Sequence, residues 1–189
     1  SAEFREFIAG VAGRLTARCD LKGKRILEVG CGAGEFLQLL CERSGALGVG
    51  FDPTVVEDRT LPAGAGEVRL VRDYYSPKYA DVPCDFLCCL SVLEDIPKPY
   101  EFASLLRQIL GRRAAGGYFE VFNAFRAFAA GETWSIHYEQ CNYFSAASFQ
   151  RLFSTAGFDV IASGGCYGDD QYVYVEVQTN ADRGVQSYS

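Results

Sequence analysis

The sequence of 189 residues has no methionine and a single histidine, His137. Without methionine, Ser1 is not a start residue, and further segments are expected to have flanked it. No signal-peptide pattern opens the chain. No apolar run approaches the ~18 residues that cross a bilayer, so no membrane association is expected. The 8 cysteines form no C-x-x-C pair, which argues against zinc, and no metal is expected. Several lie inside apolar runs and read as small buried hydrophobes. That suits a reducing cytoplasm, the expected location, better than a disulfide framework. A basic surplus is also lacking: the net charge of −6 disfavours nucleic acid as a partner. The one adjacent arginine pair, Arg112-Arg113, reads as the polar end of a helix. Repeats and low-complexity stretches are absent. What is present is 49% apolar content, enough for the core of one domain.

The most informative stretch is residues 25–34, Arg-Ile-Leu-Glu-Val-Gly-Cys-Gly-Ala-Gly. Ile26-Leu27-Glu28-Val29 reads as a buried strand. It runs into glycines 30, 32 and 34, after which Phe36-Leu37 and Leu39-Leu40 begin a helix. A glycine-rich turn there lets a ligand approach the backbone, because no Cβ stands in the way. The spacing is G-x-G-x-G, whereas a dinucleotide fingerprint has G-x-G-x-x-G with pyrophosphate on the helix N-terminus. Glu35 takes the place of the third fingerprint glycine, where a carboxylate competes with phosphate. Glu28 adds a second negative charge. Such a site disfavours a nicotinamide dinucleotide and suits a ligand with a cationic end and no phosphates. S-adenosylmethionine (SAM), with its ammonium and sulfonium, is one. Acidic residues recur at the ends of the next two expected strands, Asp52 and Asp73. A carboxylate accepts two hydrogen bonds from a vicinal diol better than a neutral side chain, which points Asp52 at a ribose.

Phe4, Phe7, Ile8, Val11 and Leu15 recur at helical spacing. They predict a first helix, packed on the sheet or lying over the cofactor as a lid. Strands are expected at about 25–30, 47–51, 68–71, 85–90, 118–122, 158–161 and 171–177. Helices are expected at about 34–44, 100–112 and 145–156, the last with Ser145 as N-cap and Gly157 as stop. Residues 53–66 and 123–144 read as irregular connections, the second rich in aromatics. The alternation predicts an α/β fold: a doubly wound, Rossmann-like, seven-stranded sheet, mostly parallel, its last two strands antiparallel and helices on both faces. The expected organisation is a capping helix over 1–20, the domain proper over 21–179 and a flexible polar tail over 180–189. Ligands of such sheets bind beyond the carboxyl ends of the strands, where Glu28, Gly30, Asp52, Asp73 and Leu90 fall.

Four segments together resemble class I SAM-dependent methyltransferases. Leu27-Glu28-Val29-Gly30-Cys31-Gly32-Ala33-Gly34 resembles the family's first motif, and Gly50-Phe51-Asp52-Pro53-Thr54 its second-strand motif. Arg72-Asp73-Tyr74-Tyr75 is similar to the segment bordering adenine, and Leu90-Ser91-Val92-Leu93-Glu94-Asp95-Ile96-Pro97 to the segment after the fourth strand. The resemblance implies SAM as cofactor and S-adenosylhomocysteine (SAH) as product. It implies a cofactor-binding set of Glu28, Gly30, Cys31, Gly32, Gly34, Phe51, Asp52, Pro53, Asp73, Tyr74, Leu90 and Ser91. In the family the acid at Asp52 accepts hydrogen bonds from the ribose hydroxyls.

A narrower resemblance is to the sugar C-methyltransferase-like group. Phe119-Glu120-Val121-Phe122-Asn123 resembles its "EVPN" strand end, with Phe122 in place of proline. Residues 134–145, with His137-Tyr138-Glu139-Gln140, resemble its "YEH…YFS" segment. This implies His137, Tyr138 and Glu139 as catalytic residues beside a small-molecule acceptor. Histidine is also the side-chain type that most often serves as a base near neutrality. Gln140 stands where the group carries its catalytic histidine. The alternative is a non-catalytic SAM-binding domain of a larger protein. The sequence leaves the acceptor atom and the oligomeric state open.

Overall fold

The computed structural model describes residues 2–111, 113–138 and 140–179. Glu139 and the expected tail over 180–189 lie outside the described residues. The chain divides into two compact units, Ser1–Cys88 and Cys89–Ser189.

The first unit opens with α1 (Ala2–Arg18). Its buried residues Ile8, Val11, Ala12 and Leu15 repeat at helical spacing, and the helix packs against α2 (Glu35–Ser44). The strands are β1 (Arg25–Val29), β2 (Leu47–Phe51), β3 (Arg59–Ala63), β4 (Gly66–Val71) and β5 (Phe86–Leu90), whose last two residues belong to the second unit. Their order is β3-β4-β2-β1-β5. The pairs β1–β2, β1–β5 and β2–β4 are parallel, and β3 joins the edge antiparallel to β4. Strand β5 is buried on both faces through Phe86, Leu87, Cys88 and Cys89, as a central parallel strand should be. Cys31, Cys41, Cys84, Cys88 and Cys89 are buried, in keeping with their reading as small hydrophobes.

The second unit holds α3 (Pro99–Leu110), β6 (Gly116–Phe122), α4 (Ala124–Ala129), α5 (Ala146–Thr155), β7 (Asp159–Cys166) and β8 (Tyr172–Gln178). Strand order is β6-β8-β7, both pairs antiparallel. Its core is aromatic: Phe119, Phe149, Phe153 and Phe158 pack ring against ring. Ser145 caps α5 in a reciprocal capping box with Ser148.

Eight strands are therefore present among the described residues, not seven. The extra one is β3, inside the stretch expected to be irregular. It forms a hairpin with β4 through a turn at Gly64, whose φ is 60°. Pro62 cannot donate to a ladder, but an edge strand tolerates that. Gly116-Gly117 begin β6. No described helix is long and apolar enough to cross a membrane.

Candidate functional site

In the first unit the chain leaves β1 through Gly30, whose amide donates to the Phe51 carbonyl at 2.8 Å. The turn is thereby hooked to the carboxyl end of β2. Gly34 then caps α2 in the left-handed region, with φ 85°. A Cβ at Gly50 would sit 2.6 Å from Cys31 Sγ, so only glycine on β2 lets the turn lie this close. A Cβ at Gly32 would meet nothing within 4 Å, which leaves the turn's backbone open to a ligand.

Asp52 follows β2 and fastens this turn. Its Oδ2 accepts the Gly32 amide at 2.9 Å. Its Oδ1 accepts the Thr54 amide at 2.8 Å and the Thr54 hydroxyl at 2.6 Å. Partial burial pushes the Asp52 pKa up, but the bonds from Thr54 and Gly32 outweigh it and hold the pKa below the ordinary carboxylate range. A carboxylate offers roughly four lone-pair sites. Three are taken, and the remaining one is on Oδ2, beside the Gly32 amide.

Glu28 lies beneath the turn and is buried. It accepts a hydrogen bond from the Leu37 amide in the first turn of α2, while Oε2 is buried without a partner. Burial first, and the Asp52 charge second, push its pKa up to about 8. At neutral pH Glu28 is therefore mostly a neutral acid rather than the fixed negative charge read from the sequence.

That shift has a consequence for stability. An unfolded Glu28 titrates near 4.5 and the folded one near 8, so across that window the folded protein holds one more proton. Its contribution to stability is full below about pH 4.5 and falls as pH rises toward 8. Glu28→Gln should remove this slope. Melting temperatures taken at about pH 5 and about pH 8.5 should show the variant gaining on the native protein as pH rises. A difference that stays constant would mean that Glu28 titrates at its ordinary value.

The other members expected at the cofactor are placed as follows. Phe51 is buried against Tyr75 and Tyr79, with ring centroids 5.1 and 4.5 Å away. Cys31 is buried, and its thiol is pushed up to about 12, first by burial and then by Glu28. Pro53 and Tyr74 are exposed. Asp73 organises its own loop: it is ion-paired with Lys78, and it accepts the Tyr79 hydroxyl at 2.7 Å and the Tyr74 amide at 2.8 Å. Thr54, Lys78 and Tyr79 were not singled out from the sequence. The Asp-x-Thr spacing could have signalled Thr54, because such pairs close short turns.

Leu90 and Ser91 belong to the second unit. Ser91 has φ 53°, uncommon for a residue with a side chain, and its amide donates to the Glu120 carbonyl at 2.9 Å. The next turn carries Glu94, which is buried. Its Oε1 accepts the Phe122 amide at 3.1 Å, and its carbonyl accepts the amides of Cys141 and Asn142 at 2.9 and 3.0 Å. Residues 141–142 are thus stitched to the turn after β5. His137 and Tyr138, just before them, are exposed, Tyr138 completely. Trp134 and Phe125 are also exposed at 74% and 58%, more than a closed hydrophobic cluster would allow. Among the described residues no three His, Cys, Asp or Glu side chains gather as a metal site.

A family model described as "Methyltransferase domain" matches residues 3–163. No curated protein sequence matches this one. Three solved structures illustrate the likeness. Magnesium protoporphyrin IX methyltransferase from Synechocystis PCC 6803, crystallised with SAH, is 16% identical with a TM-score of 0.63, over 95% of this chain and 84% of that one. A protein described as a methyltransferase, in complex with the Trm112 activator from Haloferax volcanii, is 15% identical with a TM-score of 0.65, over 94% and 92%. A SAM-dependent methyltransferase from Archaeoglobus fulgidus is 15% identical with a TM-score of 0.63, over 91% and 94%. At such identities the likeness is one of fold.

Proposed function

The chain belongs to the methyltransferase domain family, and from that membership we propose that it moves a methyl group from SAM to a small-molecule acceptor. The observation that carries the reading is the Gly32–Asp52 clasp. It holds an open glycine turn at the carboxyl ends of two parallel strands, with an unused carboxylate lone pair beside it. A ribose hydroxyl donates to that lone pair. The buried Oε2 of Glu28 beneath the turn has no partner of its own. SAM supplies a methyl group on a sulfonium, with a neutral thioether as leaving group. The protein's part is to hold the acceptor in line and keep water away.

Within the family we favour the sugar C-methyltransferase-like group, on residues 119–123 and 134–145. His137, Tyr138 and Glu139 then serve the acceptor, with His137 as base. His137→Ala should leave SAH affinity unchanged and lower turnover about 10²–10⁴-fold, the usual range for a general base. Equal turnover would remove His137 from the mechanism. The second reading, a SAM-binding domain without turnover, is favoured by Gln140 in the place of the group's histidine. Deuterium-labelled SAM incubated with cell extract and nucleotide sugars separates the two. A labelled product establishes transfer and its atom. SAH binding without any labelled product favours the non-catalytic domain.

A further inference from the structure

The second unit contains a buried acidic wall that the cofactor reading does not use. On β6, Glu120 is buried, and its Oε2 accepts the Tyr118 hydroxyl at 2.7 Å and lies 3.7 Å from Cys166 Sγ. In the strand ladders Phe122 pairs with Tyr172, and Tyr172 with Cys166, so these residues line one end of the sheet. The rings of Phe122 and Tyr172 are 6.4 Å apart. A different element adds the decisive group. Glu94, in the short turn after β5, is 5% exposed and is fixed by the Phe122 amide at 3.1 Å through Oε1. Its Oε2 is buried and has no partner. Glu94 is held by the Phe122 amide, and Glu120 lies two residues before Phe122 on the same face of β6, so both acids stand beside the strand end that pairs with Tyr172.

An orphaned buried carboxylate oxygen costs free energy whether it is ionised or protonated. In the ionised state a donor relieves it, and a charged donor does so most strongly. A second buried acid, Glu120, two residues along β6 from Phe122, adds negative charge nearby, so a cation is preferred over a neutral hydroxyl. A metal is disfavoured, because no three ligating side chains converge among the described residues. We propose that Glu94, backed by Glu120 and Tyr172, binds a protonated amine on the acceptor, so that the substrate class is an amine-bearing small molecule. This rests on the methyltransferase reading and narrows it. Gln140, next to the stitched residues 141–142, has a buried Oε1 that also lacks a donor.

The test compares phenethylamine with its neutral isostere 2-phenylethanol, titrated into the full chain saturated with SAH. The amine should bind at least about tenfold tighter, the ratio given by roughly one charge-assisted hydrogen bond. Glu94→Gln should bring that ratio close to one with SAH affinity unchanged. Equal binding of the two probes, binding of neither, or a preference that survives Glu94→Gln would overturn the proposal. If the variant does not fold, its SAH binding is lost, and the ratio in the native chain decides alone. Failure of the native chain to bind SAH would strike the methyltransferase reading instead.

Discussion

Asp52→Ala is expected to weaken SAH binding about ten- to a hundredfold. The magnitude follows from losing hydrogen bonds to a charged acceptor, about 1.5–3 kcal/mol. Two losses combine. The ribose loses the free lone pair on Oδ2, and the glycine turn loses the carboxylate that holds the Gly32 amide at 2.9 Å. The Thr54 amide and hydroxyl lose their acceptor as well, but Thr54 is exposed and water replaces it. Asp52→Asn keeps one carbonyl oxygen and should fall between the native protein and the alanine variant. Titration calorimetry on folded protein measures all three. Unchanged affinity in Asp52→Ala would remove this residue from the cofactor.

Gly34→Ala should be the most destabilising of the conservative changes at the turn, by about 2–4 kcal/mol. Part is backbone strain, because φ 85° costs a residue with a Cβ about 1–2 kcal/mol. The rest is collision. The new Cβ would stand 2.8 Å from Leu70 Cδ2, and Leu70 is fully buried and cannot swing aside. Overpacking of this kind costs about 1–3 kcal/mol. Gly32→Ala separates the two parts, since Gly32 also has positive φ but open space around the added carbon. Its loss should be limited to about 1–2 kcal/mol. Chemical denaturation of the three proteins gives the comparison. Equal losses at positions 34 and 32 would show that Leu70 yields and that strain alone matters.

How far the sequence anticipated the molecule depends on whether the interaction is local. Strand β1, helix α2 and the apolar strand β5 carry periodicities and end signals within ten or so residues, and these were legible. So was the Ser145 cap, which is defined within three residues of itself. Strand β3 was not. It is mostly exposed, contains Pro62, shows no alternation, and exists because β4 offers it a ladder across Gly64. Helix α4 was hidden for a different reason: six residues are too few for a helical period, and Asn123 caps it by accepting the Arg126 amide.

The candidate site divides in the same way. Gly30, Gly32, Gly34 and Asp52 could be read from spacing, because a strand-to-helix turn is a local device. The protonation state of Glu28 could not, since it is set by burial under α2 and by Asp52 across the ladder. The engagement of Asp73 by Lys78 and Tyr79 depends on how the loop folds back. Glu94 stood inside a matched segment, but its importance lies in an oxygen left without a donor, which only three dimensions reveal.

The most direct measurement is a calorimetric titration of the full chain with SAH, run beside an identical titration with NADH. Saturable binding of one SAH per chain, with NADH binding far weaker or absent, is the expected result. No binding of SAH, or NADH bound as tightly as SAH, would contradict a site built from Glu28, the glycine turn and Asp52 for a cationic, phosphate-free cofactor.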